Sequence, residues 1–88
     1  MNVIKKDGRI QEFDEKKINI SLMSSTSSVN GGKLNESDIS ILVSDITRTI
    51  NEIRKDGSST SSYEVIGVVS SVLIRDGFKE ILKSYLEY

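Results

Sequence analysis

The sequence predicts a small α+β domain in which a basic β-hairpin is followed by four helices. Three observations carry that expectation. An Asp-Gly pair at positions 7 and 8 lies between two short β-prone runs. A long 3.6-residue stripe of apolar side chains runs from Ile39 to Ile53. Two further helical patterns, opening near Ser61 and Phe78, fill the rest of the chain. Eighty-eight residues make one domain with a modest core, so little of the chain is spare.

The hairpin is expected over residues 3–5 and 10–13, with Lys6-Asp7-Gly8-Arg9 as its turn, because Gly8 supplies the positive φ that a tight turn needs. Asp14 then stands where an N-cap belongs, and Ile18, Leu22 and Met23 begin the stripe of a short first helix that fades into "SSTSSVNGG". The second helix buries Ile39, Leu42, Val43, Ile46, Ile50 and Ile53, at i, i+3, i+4, i+7, i+11 and i+14, and is capped by Asn35 or Ser37. After a break at "DGSST", Ser61 with Glu64 three residues on has the form of a capping box. The third helix that follows buries Val65, Ile66, Val69, Val72 and Leu73. Asp76-Gly77 interrupts the pattern, and Phe78, Ile81, Leu82 and Tyr85 mark a last short helix reaching Tyr88. The Ser-rich stretches 24–32 and 57–62 read as connections between helices rather than phosphorylated tracts.

Composition removes many functions. With no Cys and no His, the chain has no thiolate nucleophile, disulfide, imidazole base or ordinary zinc site, so it is expected not to be an enzyme by itself. Twelve basic against thirteen acidic residues give a net charge of −1, which with few aromatic side chains disfavours nucleic acid or a membrane surface as partner. No apolar run approaches a membrane span and residues 1–20 lack a signal-peptide core, so a cytoplasmic location is expected. Alanine and proline are absent while serine is abundant, so positions that want a small side chain are expected to hold Ser.

Positive charge is nonetheless concentrated. "VIKKDGRIQEFDEKKI", residues 3–18, carries Lys5, Lys6, Arg9, Lys16 and Lys17, five of the twelve basic residues, interleaved with Asp7, Glu12, Asp14 and Glu15. A hairpin folded over the start of the first helix brings Lys5, Lys6, Arg9 and Lys17 together, a geometry suited to polyphosphate. The helix N-terminus adds unpaired N–H groups and a partial positive charge. Apolar Val3 and Ile18 fit a slot for a flat base beside the phosphates. The plainer alternative is a solvated basic face on a helical domain that binds a protein partner and no nucleotide.

The order of these residues resembles the opening of the ATP-cone, the nucleotide-sensing domain at the N-terminus of many ribonucleotide reductases, which begins Val-x-Lys-Arg-Asp-Gly-Arg, then a Phe, then Lys-Ile. The resemblance spans residues 1–88. It continues in Ser21, Leu22 and Ser25 of the first helix, in Ser61, Ser62, Glu64, Val65 and Ile66 at the third helix start, and in a closing Tyr-x-x-Tyr at Tyr85 and Tyr88. It implies a hairpin lying as a lid over a four-helix bundle, with ATP or dATP, accompanied by Mg2+, bound between them as allosteric effector. By position, the resemblance implies that Val3 and Ile18 contact adenine and that Lys5, Lys6 and Lys17 hold the phosphates. It further implies that Asp7, Gly8 and Arg9 shape the turn, and that Gln11 and Asp14 make polar contacts to the nucleotide. Lys6 stands where the family usually has Arg, which leaves a point charge in place of a planar fork and implies weaker or less selective binding. Glu36 and Ser40 fall near positions where some members contact nucleotide.

The resemblance implies a regulatory rather than catalytic domain. It would read the ATP to dATP ratio and govern the overall activity of a parent reductase, of an anaerobic triphosphate-reducing type, through a change of oligomeric state. The expected partners are an adenine nucleotide, the catalytic domain of the reductase and further copies of the cone. The chain is then an N-terminal fragment of a longer protein. A transcriptional repressor of reductase genes carries the same cone behind a cysteine-rich zinc ribbon; with Met1 two residues before Val3, that alternative is the less favoured.

Overall fold

Gly8, at φ +89°, reverses the chain as expected, with its N–H on the Lys5 carbonyl at 2.9 Å and the Lys5 N–H on the Arg9 carbonyl at 2.7 Å. The computed structural model describes residues 1–27 and 35–87. On either side of the turn, β1 (Asn2–Ile4) and β2 (Ile10–Glu12) pair antiparallel, with Val3 opposite Gln11 and Ile4 opposite Ile10. The Asp7 carboxylate accepts from the Arg9 N–H at 3.1 Å and from its Nε at 2.6 Å, which ties the turn to itself.

The chain enters α1 (Glu15–Ser27) through Asp14, whose carboxylate accepts from the Lys16 N–H at 3.0 Å. This helix is longer than expected. Its buried stripe of Ile18 and Leu22 continues into fully buried Ser25, whose hydroxyl donates to the Ser21 carbonyl at 2.7 Å. Serine thus fills a small-residue core position with its polar group satisfied inside the helix. Residues 28–34, most of the expected loop, and Tyr88 lie outside the described residues.

Asn35 caps α2 (Glu36–Ile53) by accepting from the Asp38 N–H at 2.8 Å, and Asp38 returns to the Asn35 N–H at 3.3 Å. Ile39, Leu42, Val43, Ile46 and Ile50 of the expected stripe are buried, whereas Ile53, in the last turn, is exposed. The connection beyond it was read as a loop, yet it contains β3 (Thr60–Ser61), which pairs parallel with β1. The sheet order is β2-β1-β3. Ser61 then caps α3 (Ser62–Arg75) by accepting from the Glu64 N–H at 3.1 Å. After Gly77 at φ +88°, α4 (Lys79–Glu87) returns along the bundle.

Helix α1 packs on α2 and α4, α2 on α3, and α3 on α4. They enclose one apolar core centred on Leu22, Ile39, Ile46, Ile50, Val69 and Leu73, all fully buried. The fold is α+β, with half-buried Phe13 at the end of the hairpin packed against the helical core. Among the described residues no helix is long and apolar enough to cross a membrane.

Candidate functional site

The hairpin does not seat flush on the bundle, and the space left is a cleft of about 450 Å³. Its lid wall carries Val3, Lys5, Lys6, Asp7, Arg9, Gln11 and Glu12, and the link into α1 adds Phe13 and Asp14. Opposite lie Lys17, Ile18 and Ser21 of α1, Ser62, Val65 and Ile66 of α3, and Tyr85 of α4. Val3, Lys5, Lys6, Asp7, Arg9, Gln11, Asp14, Lys17 and Ile18 therefore line one space. Gly8 does not line it and acts only at the turn.

The cations of the opening segment are not equivalent. Arg9 is held by Asp7 at 2.6 Å at the exposed tip of the turn, so much of its charge is already answered. Lys5, Lys6 and Lys17 form no ion pair among the described residues. The Lys17 Nζ lies 3.5 Å from the Gln11 Oε1, and the Lys6 Nζ stands 5.7 Å from the centre of the exposed Tyr63 ring. Val3 and Ile18 are both buried, at 8% and 6% exposure, and with Val65 and Ile66 they give the cleft an apolar side.

The start of α1 differs from the expectation. Its free N–H groups were read as an anion seat, but the Asp14 carboxylate already takes the Lys16 N–H and brings a negative charge of its own. The α3 face of the cleft was not anticipated. Val65 and Ile66 were assigned to the buried face of that helix; both are only partly buried and line the cleft, Val65 also packing against the core that Val68, Val69, Val72 and Leu73 enter. Ser62 contributes to this wall, but its Oγ is buried away from the open space and has no hydrogen-bond partner among the described residues. Burial raises the Tyr85 phenol above its ordinary pKa, so it meets the cleft as a neutral hydroxyl at any pH near 7. The spacing of Ser62, Val65 and Ile66, at i, i+3 and i+4, was the available signal that one strip of α3 faces a common surface.

A larger groove, about 880 Å³, runs between α1 and α2 on the side of Lys16. Its chemistry is less directed. Lys16 and Lys55 share its walls with Glu15 and Glu52, and Arg48 is already on Asp45 at 2.6 Å. Ser40, which sequence position associated with the nucleotide, lines this groove and not the cleft, and Glu36 lines neither.

A family model described as the ATP cone domain matches residues 1–88, the whole chain. No curated protein matches it.

Proposed function

The chain belongs to the ATP-cone family of nucleotide-sensing regulatory modules, and we propose that its cleft binds ATP or dATP with the phosphates among Lys5, Lys6 and Lys17. The adenine lies in the apolar part, between Val3 and Ile18. Carrying this reading is the meeting of three lysines that form no ion pair among the described residues, from the hairpin and from α1, in one cleft that also has an apolar side. Mg2+ accompanying the triphosphate lowers the negative charge that faces Glu12 and Asp14.

The bound nucleotide acts as an effector. ATP and dATP share phosphates and base, so a response to their ratio needs two states of the domain that bind them differently. In this proposal the two states differ in self-association or in contact with the catalytic domain of a ribonucleotide reductase, whose overall activity the cone sets. Calorimetric titration of the folded domain tests the binding itself; if neither ATP nor dATP binds at millimolar concentration, a partner-binding helical domain is the better reading. Sedimentation with ATP, with dATP and with neither should give different mass distributions if the response is oligomeric, and three identical monomer profiles would count against it.

A further inference from the structure

We infer that Glu64 is the positioning residue of the cleft: its carboxylate clamps β3, and through β3 it fixes how far the lid strand β1 stands from α3. Glu64 is the third residue of α3, where a glutamate behind a Ser cap ordinarily returns to the cap's own N–H. Here its oxygens bind elsewhere. They accept from the Arg54 Nε at 2.9 Å and Nη2 at 2.8 Å, a two-pronged contact with the end of α2, and from the Thr60 hydroxyl at 2.7 Å. Thr60 is fully buried and pairs with Val3, and Ser61 pairs with Ile4.

Two opposed walls of the cleft are therefore joined through one short strand. Val3 and Lys5 lie on the lid side of β3, and Ser62, Val65 and Ile66 follow directly from it on the α3 side. A strand of two residues holds little by backbone pairing alone. The side-chain clamp supplies the rest. The segment that leads to it is fastened as well, since the Asp56 carboxylate accepts from the Ser58 N–H at 3.0 Å and hydroxyl at 2.6 Å.

The effect on nucleotide affinity rests on the cleft reading above, whereas the hold on the lid does not, and the experiment separates them. Glu64→Gln keeps the side chain's size and removes its charge; Thr60→Val keeps the β-branch and removes the hydroxyl; Thr60→Ser restores the hydroxyl. Amide hydrogen exchange should show β1 and β3 losing protection about tenfold in Glu64→Gln and Thr60→Val, with core amides such as Leu42 and Leu73 unchanged and Thr60→Ser close to the parent. ATP affinity should fall roughly tenfold in the same two variants. Because the clamp acts through β1, Glu64→Gln combined with Lys5→Ala should cost less than the sum of the single changes, and combined with Lys17→Ala it should cost the full sum. General destabilisation produces no such asymmetry. Unchanged β1 and β3 protection overturns the inference, as does a loss spread evenly over the core; if Glu64→Gln does not fold, the Thr60 pair decides it. A parent chain that binds no ATP while its variants show the localised exchange pattern refutes the nucleotide reading and leaves the lid clamp standing.

Discussion

Lys16 and Lys17 are chemically identical neighbours that face different spaces, which makes them a test of where the ligand sits. Successive residues of a helix point about 100° apart, so Lys17 turns into the cleft while Lys16 lines the groove between α1 and α2. A charge-assisted contact to phosphate is worth about 1.5–3 kcal/mol, so Lys17→Ala should weaken ATP binding roughly ten- to a hundredfold. The lower part of that range suits Lys17, which is exposed in the free domain and whose Nζ lies 3.5 Å from the Gln11 Oε1. Lys16→Ala removes the same unit of charge and should change affinity little at physiological ionic strength, where charges about 8 Å apart are largely screened. Folding should not confuse the comparison, because a lysine in the first turn opposes the helix dipole and removing either relieves α1. Calorimetric titration of both variants at one salt concentration, with circular dichroism to confirm the fold, reads the difference. Equal losses for the two, or no loss for either, would put the phosphates somewhere other than this cleft.

Three further outcomes follow from the geometry. If the apolar side of the cleft at Val3 and Ile18 selects adenine, GTP and CTP should displace ATP poorly; displacement as effective as that by ATP itself would remove the base slot while leaving the phosphate site. The Arg54 and Thr60 hydrogen bonds hold the Glu64 carboxyl below its ordinary pKa, so its stabilising contribution is present above the unfolded value, near 4.3, and is lost as pH falls through the lower folded value. Acid denaturation of Glu64→Gln should accordingly show a weaker pH dependence below about pH 4 than the parent, and superimposable curves would assign the acid sensitivity to other carboxylates. At φ +89° with open space around it, Gly8 accepts a methyl group sterically but not conformationally; Gly8→Ala should cost about 1 kcal/mol or more, measured by denaturant titration, and unchanged stability would mean that the turn rearranges freely.

What could be read from the sequence was whatever local chemistry decides. The Asp7-Gly8 turn and the Asn35 and Ser61 caps need only a few neighbouring residues, and all three form as expected. The 3.6-residue stripe located α2 because an 18-residue helix averages out its exceptions, of which exposed Ile53 is one. Ser25 was marked as a small-residue position by the family resemblance, and the absence of alanine gave only the general expectation that serine fills such positions. β3 was not recognisable, since two residues in a serine-rich run carry no strand period and their partner is β1, nearly sixty positions away. Nor could periodicity tell that Val65 and Ile66 line a cleft while Val68 and Val69 enter the core, because both are apolar surfaces. Ser61 and Glu64 matched a capping box by spacing, and half of it forms; the other half yields to Arg54, ten residues away in the chain, because a two-pronged charged contact outweighs one N–H.

The run of basic residues at the start of a nearly neutral chain is divided by the fold into separate tasks. Arg9 is bound to Asp7 and stiffens the turn, and Lys16 leaves for the groove on the other side of α1. Lys5, Lys6 and Lys17 remain for the cleft, where Glu12 and Asp14 sit close enough to limit the field. In the proposed reading, attraction for an anion centres on this cleft, and a net charge of −1 gives the chain no general pull on polyanions. A cluster of the same five cations without the turn and the helix start would attract any polyphosphate. Divided in this way, three of them line a space that has an apolar wall at Val3, Ile18, Val65 and Ile66, and in the proposed reading discrimination between ligands falls to that wall because every triphosphate satisfies the lysines equally.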